Sequence, residues 1–230
     1  QNILERDRIY KKIKPVIYGN SYMQNYYKKS YLLKNYTYER SSAIINEKEF
    51  YPMDQQKMRI EFEIPEEKTF ILFFGSQSVD NHRKGIGYLL DALSIFHDSL
   101  SENEREKVLL LIAGKNIDQI SDQLKFPYKE LGYVNFEVLA KTFSVSNLFL
   151  SPSVDDAGPM MVNQALSCGT PVVAFEMGAA LDVVKDKGTG YCAKIKDSVD
   201  FASGIEGIFR MDSNMYQCRG FHEKTFEPVP

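Results

Sequence analysis

Residues 146–175 read SNLFLSPSVDDAGPMMVNQALSCGTPVVAF. Leu148-Phe149-Leu150 is an apolar run too short for a helix and bounded by polar residues, which predicts a buried strand. A loop follows, Ser151-Pro152-Ser153-Val154-Asp155-Asp156, with two adjacent carboxylates. Gly158-Pro159 then opens a helix, proline standing near the first helical position where its missing N–H does no harm. Cys168-Gly169 ends that helix, and Pro171-Val172-Val173-Ala174-Phe175 is a second buried strand. A strand–loop–helix–strand unit brings the loop and the helix N-terminus to the carboxyl edge of a parallel sheet. Open α/β sheets bind ligands at that edge. The free N–H groups and the helix dipole there suit a phosphate.

Working outward, the same alternation runs from Pro65 onward. Thr69–Phe74 is a continuous apolar strand ending at Gly75, as expected where both faces are covered. After a polar loop from Ser76 to Arg83, a helix starts at Gly85-Ile86-Gly87. Its Ile86, Leu89, Leu90, Leu93 and Phe96 keep helical spacing. Val108–Ala113 is the next strand, closing on Gly114-Lys115, and a helix is expected over Ile117–Leu124. Glu130–Val134 reads as a strand, Phe136–Phe143 as a helix, Ala180–Val184 as a helix, Gly190–Ala193 as a strand and Val199–Phe209 as a helix. Six strands interleaved with helices predict an α/β fold, a doubly wound, Rossmann-like parallel sheet. Upstream, residues 1–14 suit an exposed helix and Pro15–Tyr18 a short strand. Asn20-Ser21 caps a helix over about Tyr22–Leu33, and Ser42–Ile45 is a further short strand. From Tyr51-Pro52 to Pro65 the reading is a connection.

The chain has 230 residues, 43 % hydrophobic and 26 % charged, an ordinary globular composition. No apolar run approaches the ~20 residues of a membrane span, and the start carries no signal-peptide pattern. Gln1 in place of methionine predicts a piece of a longer protein. Cys168, Cys192 and Cys218 are odd in number and widely spaced, so neither a disulfide framework nor a zinc pattern follows. A reducing cytoplasm is expected. Residues 1–50 carry ten Lys/Arg against five Asp/Glu, and the remainder is acidic. The basic part is rich in tyrosine, including Tyr22, Tyr26, Tyr27 and Tyr31. Nothing there matches a nucleic-acid module, and the plainer reading is surface helices whose tyrosines pack on a neighbour.

Each strand of such a sheet delivers its following loop to one edge. Arg83 and Lys84, just before the Gly85 helix, therefore face Ser153–Pro159. Two cations and two helix N-termini on one crevice are suited to a diphosphate. Other chemistries lack their residues. No G-x-G-x-x-G follows the first strand, and no G-x-x-x-x-G-K-[ST] or G-x-S-x-G occurs, against dehydrogenases, P-loop NTPases and α/β hydrolases. His82, His97 and His222 have no metal spacing, and Asp155-Asp156 is not a D-x-D pair.

These residues carry a resemblance. PSVDDAGPMMVNQALSCGTPVVAF resembles the signature of retaining GT-B glycosyltransferases of the family 4 kind (glycosyl transferases group 1). In those proteins P-S and an acidic residue precede an E-x7-E pattern, a small-residue helix and a C-G-x-P-V-V strand. FFGSQSVDNHRKGIGYLLDAL is similar to the first strand and helix of the same family's donor domain. Residues 42–52 are similar to its interdomain linker. The resemblance implies the C-terminal, donor-binding half of a GT-B fold. Residues 1–40 would then be the tail of the N-terminal acceptor-binding domain, 41–65 the interdomain linker and entry strand, and 66–212 the nucleotide-sugar domain. Residues 213–230 would be a tail returning toward the N-terminal domain.

The resemblance also implies roles. Arg83 and Lys84 would hold the diphosphate and stabilise the leaving nucleoside diphosphate, with Asp156 on the sugar hydroxyls and Gln164 on the ribose. Gly75, Gly158, Pro159, Met160 and Met161 would line the donor, with the backbone N–H groups of the stretch Gly158-Pro159-Met160 facing phosphate or sugar. Gly114-Lys115 and Gly132-Tyr133 would flank the base. No metal ion or other cofactor is implied. The partners would be a nucleotide-sugar donor and a glycan or lipid-linked acceptor held mainly by the absent N-terminal domain. The setting would be polysaccharide biosynthesis in the cytoplasm or at the inner membrane face. The sequence departs from the pattern at three places. Asp156 and Gln164 replace the two glutamates, and Ser76-Gln77 stand where an arginine is common. A different class of reading is a non-catalytic nucleotide-sugar-binding module.

Overall fold

The structure, a computed structural model, describes residues 2–41, 45–76, 81–158, 160–184 and 188–211. Its centre is a six-stranded, all-parallel sheet of order β5-β4-β3-β6-β7-β8. The strands are β3 (Phe70–Ser76), β4 (Val108–Gly114), β5 (Tyr128–Gly132), β6 (Leu148–Ser151), β7 (Val172–Phe175) and β8 (Gly190–Ala193). The order reverses between β3 and β6, which are neighbours although β4 and β5 intervene in the chain. The loops after these two strands thus open side by side at the carboxyl edge, the position where such sheets take ligands.

Alternation along each strand sends successive side chains to opposite faces. Leu72, Phe74, Leu110, Ile112, Leu150 and Phe175 bury one face against α4 (Ile86–Ser99) and α9 (Ser198–Arg210). Ile71, Phe73, Leu111, Phe149 and Ala174 bury the other against α6 (Phe136–Val145) and α7 (Met160–Ser167). The rings of Phe73, Phe143 and Phe149 form a mutual aromatic cluster with centroids 5.1–5.5 Å apart. Cover on both faces is why these strands read as unbroken apolar runs.

A separate two-stranded parallel sheet pairs β1 (Val16–Gly19) with β2 (Thr37–Arg40). It is flanked by α1 (Asn2–Ile13) and α2 (Ser21–Lys29). Asn20 caps α2, its Oδ1 accepting from the Met23 N–H at 2.9 Å. The helix ends at Lys29, four residues short of the expected Leu33, where the Ser30 N–H turns back to the Tyr27 carbonyl. The remaining helices are α3 (Gln55–Glu61), α5 (Glu102–Glu106) and α8 (Ala180–Val183).

Several expectations need correction. The connection toward Pro65 contains α3, which Asp54 caps by accepting from the Gln56 and Lys57 N–H groups. The helix expected over Ile117–Leu124 is two 3₁₀ turns, Ile117–Gln119 and Ser121–Gln123, interrupted at Ile120, whose φ of −119° departs from helical geometry. β5 begins at Tyr128 rather than Glu130; it is an edge strand, so its pattern is half exposed and its start lacks the apolar signal. β2 and α5 were not expected. Of the short strand expected at Ser42–Ile45, residues 42–44 lie outside the described residues, as do Pro159 and the tail 213–230.

Cys168 closes α7 with 4 % of its surface exposed. Burial pushes its thiol up to about 12, against smaller opposing bonds from Ser144 and the Tyr51 backbone. The thiol is therefore protonated at neutral pH, and only the thiolate is a good nucleophile. Iodoacetamide at pH 7.5 should leave Cys168 unmodified in the folded protein and alkylate it after unfolding, read by peptide mass spectrometry.

Candidate functional site

The loops after β3 and β6 are knitted together. Asn81 Oδ1 accepts from the Arg83 N–H at 3.1 Å, starting the 3₁₀ turn His82–Lys84. The Arg83 carbonyl then accepts from the Val154 and Asp155 N–H groups, at 2.8 and 3.3 Å. Gly85 makes the exit possible. It ends the turn and starts α4 at φ +65°, and any Cβ there would collide with the Pro152 carbonyl oxygen. Left-handed backbone pressed against another chain segment is a glycine position.

Across this seam stand two ion pairs. Lys84 Nζ donates to Asp156 Oδ2 at 2.7 Å, and Arg83 Nε lies 3.1 Å from Asp155 Oδ2 and donates to the Asp155 carbonyl. The side chains of the outer pair are 62 % and 67 % exposed, those of the inner pair 35 % and 22 %. Water screens the outer pair, which contributes at most about 1 kcal/mol. The inner pair is the firmer one. Burial by itself would raise the Asp156 carboxyl. The Lys84 bond, the Gly158 N–H and the charges of Lys84 and Arg83 outweigh it and hold the group below its ordinary value.

The expected cations thus face the expected loop, each already holding one of its carboxylates. The Gly158 N–H donates to Asp156 Oδ1 at 3.2 Å, so it turns back on the loop instead of facing outward. Pro159 has no N–H to present. Met160, first residue of α7, is 45 % exposed, while Gln164, one turn along the same helix face, is 7 % exposed. Met161 reaches under β3, and a Cβ at Gly75 would stand 3.0 Å from its terminal methyl. Gly114, at φ +150°, packs its Cα against the Ser76 carbonyl at the same edge. Lys115 is exposed beside it, and Tyr133, after β5, is 76 % exposed. Among the described residues no group of three or more His, Cys, Asp or Glu side chains could hold a metal ion.

Two participants were not anticipated. Asn20 Nδ2 donates to the Ala157 carbonyl at 2.5 Å, and the Ser21 N–H donates to Asp182 Oδ2 at 2.8 Å. They tie the two-stranded sheet to the loop after β6 and to α8. Asn20 had a signal only as a helix cap, and Asp182 had none.

A parallel, Rossmann-like sheet whose switch-point loops carry the Lys84–Asp156 and Arg83–Asp155 pairs defines an open α/β class of protein. Residues 54–220 match the family described as "Glycosyl transferases group 1", and the chain belongs to it. It is 26 % identical over 150 residues to an uncharacterised glycosyltransferase of Methanocaldococcus jannaschii, covering 63 % of this chain and 37 % of that protein. Among solved structures, sucrose-phosphate synthase of Thermosynechococcus elongatus superposes with a TM-score of 0.75 at 20 % identity, over 92 % of this chain and 54 % of that one. Anabaena HepE, in complex with UDP and glucose, superposes at 0.70 and 15 % identity, over 96 % of this chain and 61 % of that one. The chain therefore spans about half or less of the first of these relatives. The fold they share is one half of the GT-B architecture.

Proposed function

We propose that this chain is the donor-binding half of a retaining, metal-independent glycosyltransferase of the family 4 kind. In the full-length protein it takes a sugar from a nucleotide-diphosphate donor and, with an N-terminal domain holding the acceptor, passes it to a glycan or lipid-linked acceptor in polysaccharide biosynthesis. The observation that carries the reading is the Lys84–Asp156 pair, set between the loops after β3 and β6 with Arg83 beside it. Membership of the glycosyl transferase family supports it.

The chemistry follows from charge. Breaking the bond between sugar and diphosphate leaves positive charge on the sugar and negative charge on the departing phosphate. Cations fixed where the negative charge develops stabilise the transition state more than the ground state. Lys84 and Arg83 occupy that role, and Asp156, kept ionised by Lys84, accepts hydrogen bonds from sugar hydroxyls. Gln164 reaches the ribose as a neutral partner. HepE is bound to UDP and glucose, which makes uracil the first base to try. Among the described residues no helix is long and apolar enough to cross a membrane. Any work at the inner membrane face would therefore not rest on a helix described here.

Calorimetric titration of the full-length protein with UDP, UDP-glucose, GDP and GDP-mannose tests the reading. One base is expected to bind with micromolar affinity, and NMR of a product should show the donor's anomeric configuration retained. Binding by none of the four would overturn it. Inversion would overturn the retaining assignment alone, and binding without transfer to any acceptor would favour the non-catalytic module.

A further inference from the structure

We infer that Asn20 is a positioning residue for the donor turn, joining the two-stranded sheet to the loop that carries Asp156. The inference rests on the functional reading above. Its two amide atoms have different duties. Oδ1 accepts from the Met23 N–H at 2.9 Å and caps α2, while Nδ2 donates to the Ala157 carbonyl at 2.5 Å. Only a side chain with an acceptor and a donor on one short stem does both. The Asn20 carbonyl is held in turn by the Tyr38 hydroxyl at 2.6 Å. The cap is thus fixed to β2 as well as to α2.

The recipient is the carbonyl of Ala157, the residue immediately after Asp156. That turn is gripped from three sides. Lys84 holds Asp156 Oδ2, the Gly158 N–H holds Asp156 Oδ1, and Asn20 holds the intervening carbonyl. Gly158 lies so close that a Cβ on it would sit 3.3 Å from Asn20 Nδ2. A second tie, from the Ser21 N–H to Asp182 Oδ2, keeps the N-terminus of α2 from sliding along the sheet edge. Asp156 is short for reaching a sugar, so its usefulness depends on where its turn is held. Asn20 makes that position depend on the two-stranded sheet, and hence on whatever moves with it.

Asn20→Ser separates the two duties, because serine caps helices as well as asparagine does but lacks the Nδ2 donor. The variant is expected to unfold within about 2 °C of wild type. Its affinity for UDP or GDP, whichever the wild type binds, should fall about 3- to 10-fold, the effect of one lost hydrogen bond. Amide exchange at Ala157, Gly158, Met160 and Met161 should accelerate several-fold while Met23–Tyr27 stay protected. Wild-type nucleotide affinity in a stable Asn20→Ser protein would overturn the inference and leave the function standing. So would unchanged exchange in the turn. A wild type that binds neither nucleotide removes the functional reading itself, and the role of Asn20 with it.

Discussion

Lys84→Ala in the full-length enzyme is expected to reduce sugar transfer by about 100- to 1,000-fold, the scale on which removal of one preorganised charge-stabilising group acts. Lys84→Arg keeps the charge on a different fork and should lose roughly tenfold. The alanine variant also strands Asp156. Its pair is neither fully exposed nor fully buried, so the stability lost should be about 1–2 kcal/mol, between the values for exposed and buried pairs. That loss has a sign in pH. The native Asp156 carboxyl lies below its ordinary value of 3.8. A lowered native value means the pair stabilises the fold fully above the unfolded value and progressively less as pH falls through the native one. Wild type and Lys84→Ala should therefore differ in urea unfolding at pH 7, and the gap should narrow as pH falls below 3.8. Transfer within about threefold of wild type would remove Lys84 from the mechanism. A stability gap that did not narrow at all below pH 3.8 would remove the Asp156 pair as its source.

The sheet was legible because its strands are covered on both faces. Runs such as Val108–Ala113 have no other use for six consecutive apolar residues, and glycine closes several of them. α3 and β2 were not legible for the opposite reason. They are four to seven residues long and largely polar, and α3 shows only its Asp54 cap. In the site, the shared carboxyl edge of parallel strands was enough to bring Arg83-Lys84 to face Asp155-Asp156. What the residues could not show was that the cations would already hold the carboxylates. That pairing depends on backbone bonds from residues 154 and 155 to Arg83. Gln164 was placed by the family resemblance, but its depth depends on how α7 packs against α6. The Asn20 contact to Ala157 joins two sheets far apart in sequence, and nothing local encodes it.

Gly85→Ala should have an effect of similar size by a purely steric route. At φ +65° an alanine costs about 1–2 kcal/mol from its backbone conformation alone. Its methyl would in addition collide with the Pro152 carbonyl oxygen and crowd Val154 Cγ1, at 3.1 Å. Backbone cannot yield as a flexible side chain does, so the turn at His82–Lys84 and the loop at Pro152–Asp156 must part. A total of about 3 kcal/mol is expected, lowering the thermal midpoint by roughly 6–12 °C. Separating the loops also stretches the Lys84–Asp156 contact, and displacement of about 1 Å at reacting groups can lower turnover about 100-fold. Gly87→Ala, two residues on, provides the contrast. No atom lies within 4 Å of its missing Cβ, and the helix should gain up to about 1 kcal/mol. If both variants unfold together, the seam between the two loops is not what holds the cations. If Gly85→Ala loses stability and transfer while Gly87→Ala loses neither, and Lys84→Ala loses transfer with the smaller stability loss of about 1–2 kcal/mol, the glycine positions the charge and the lysine supplies it.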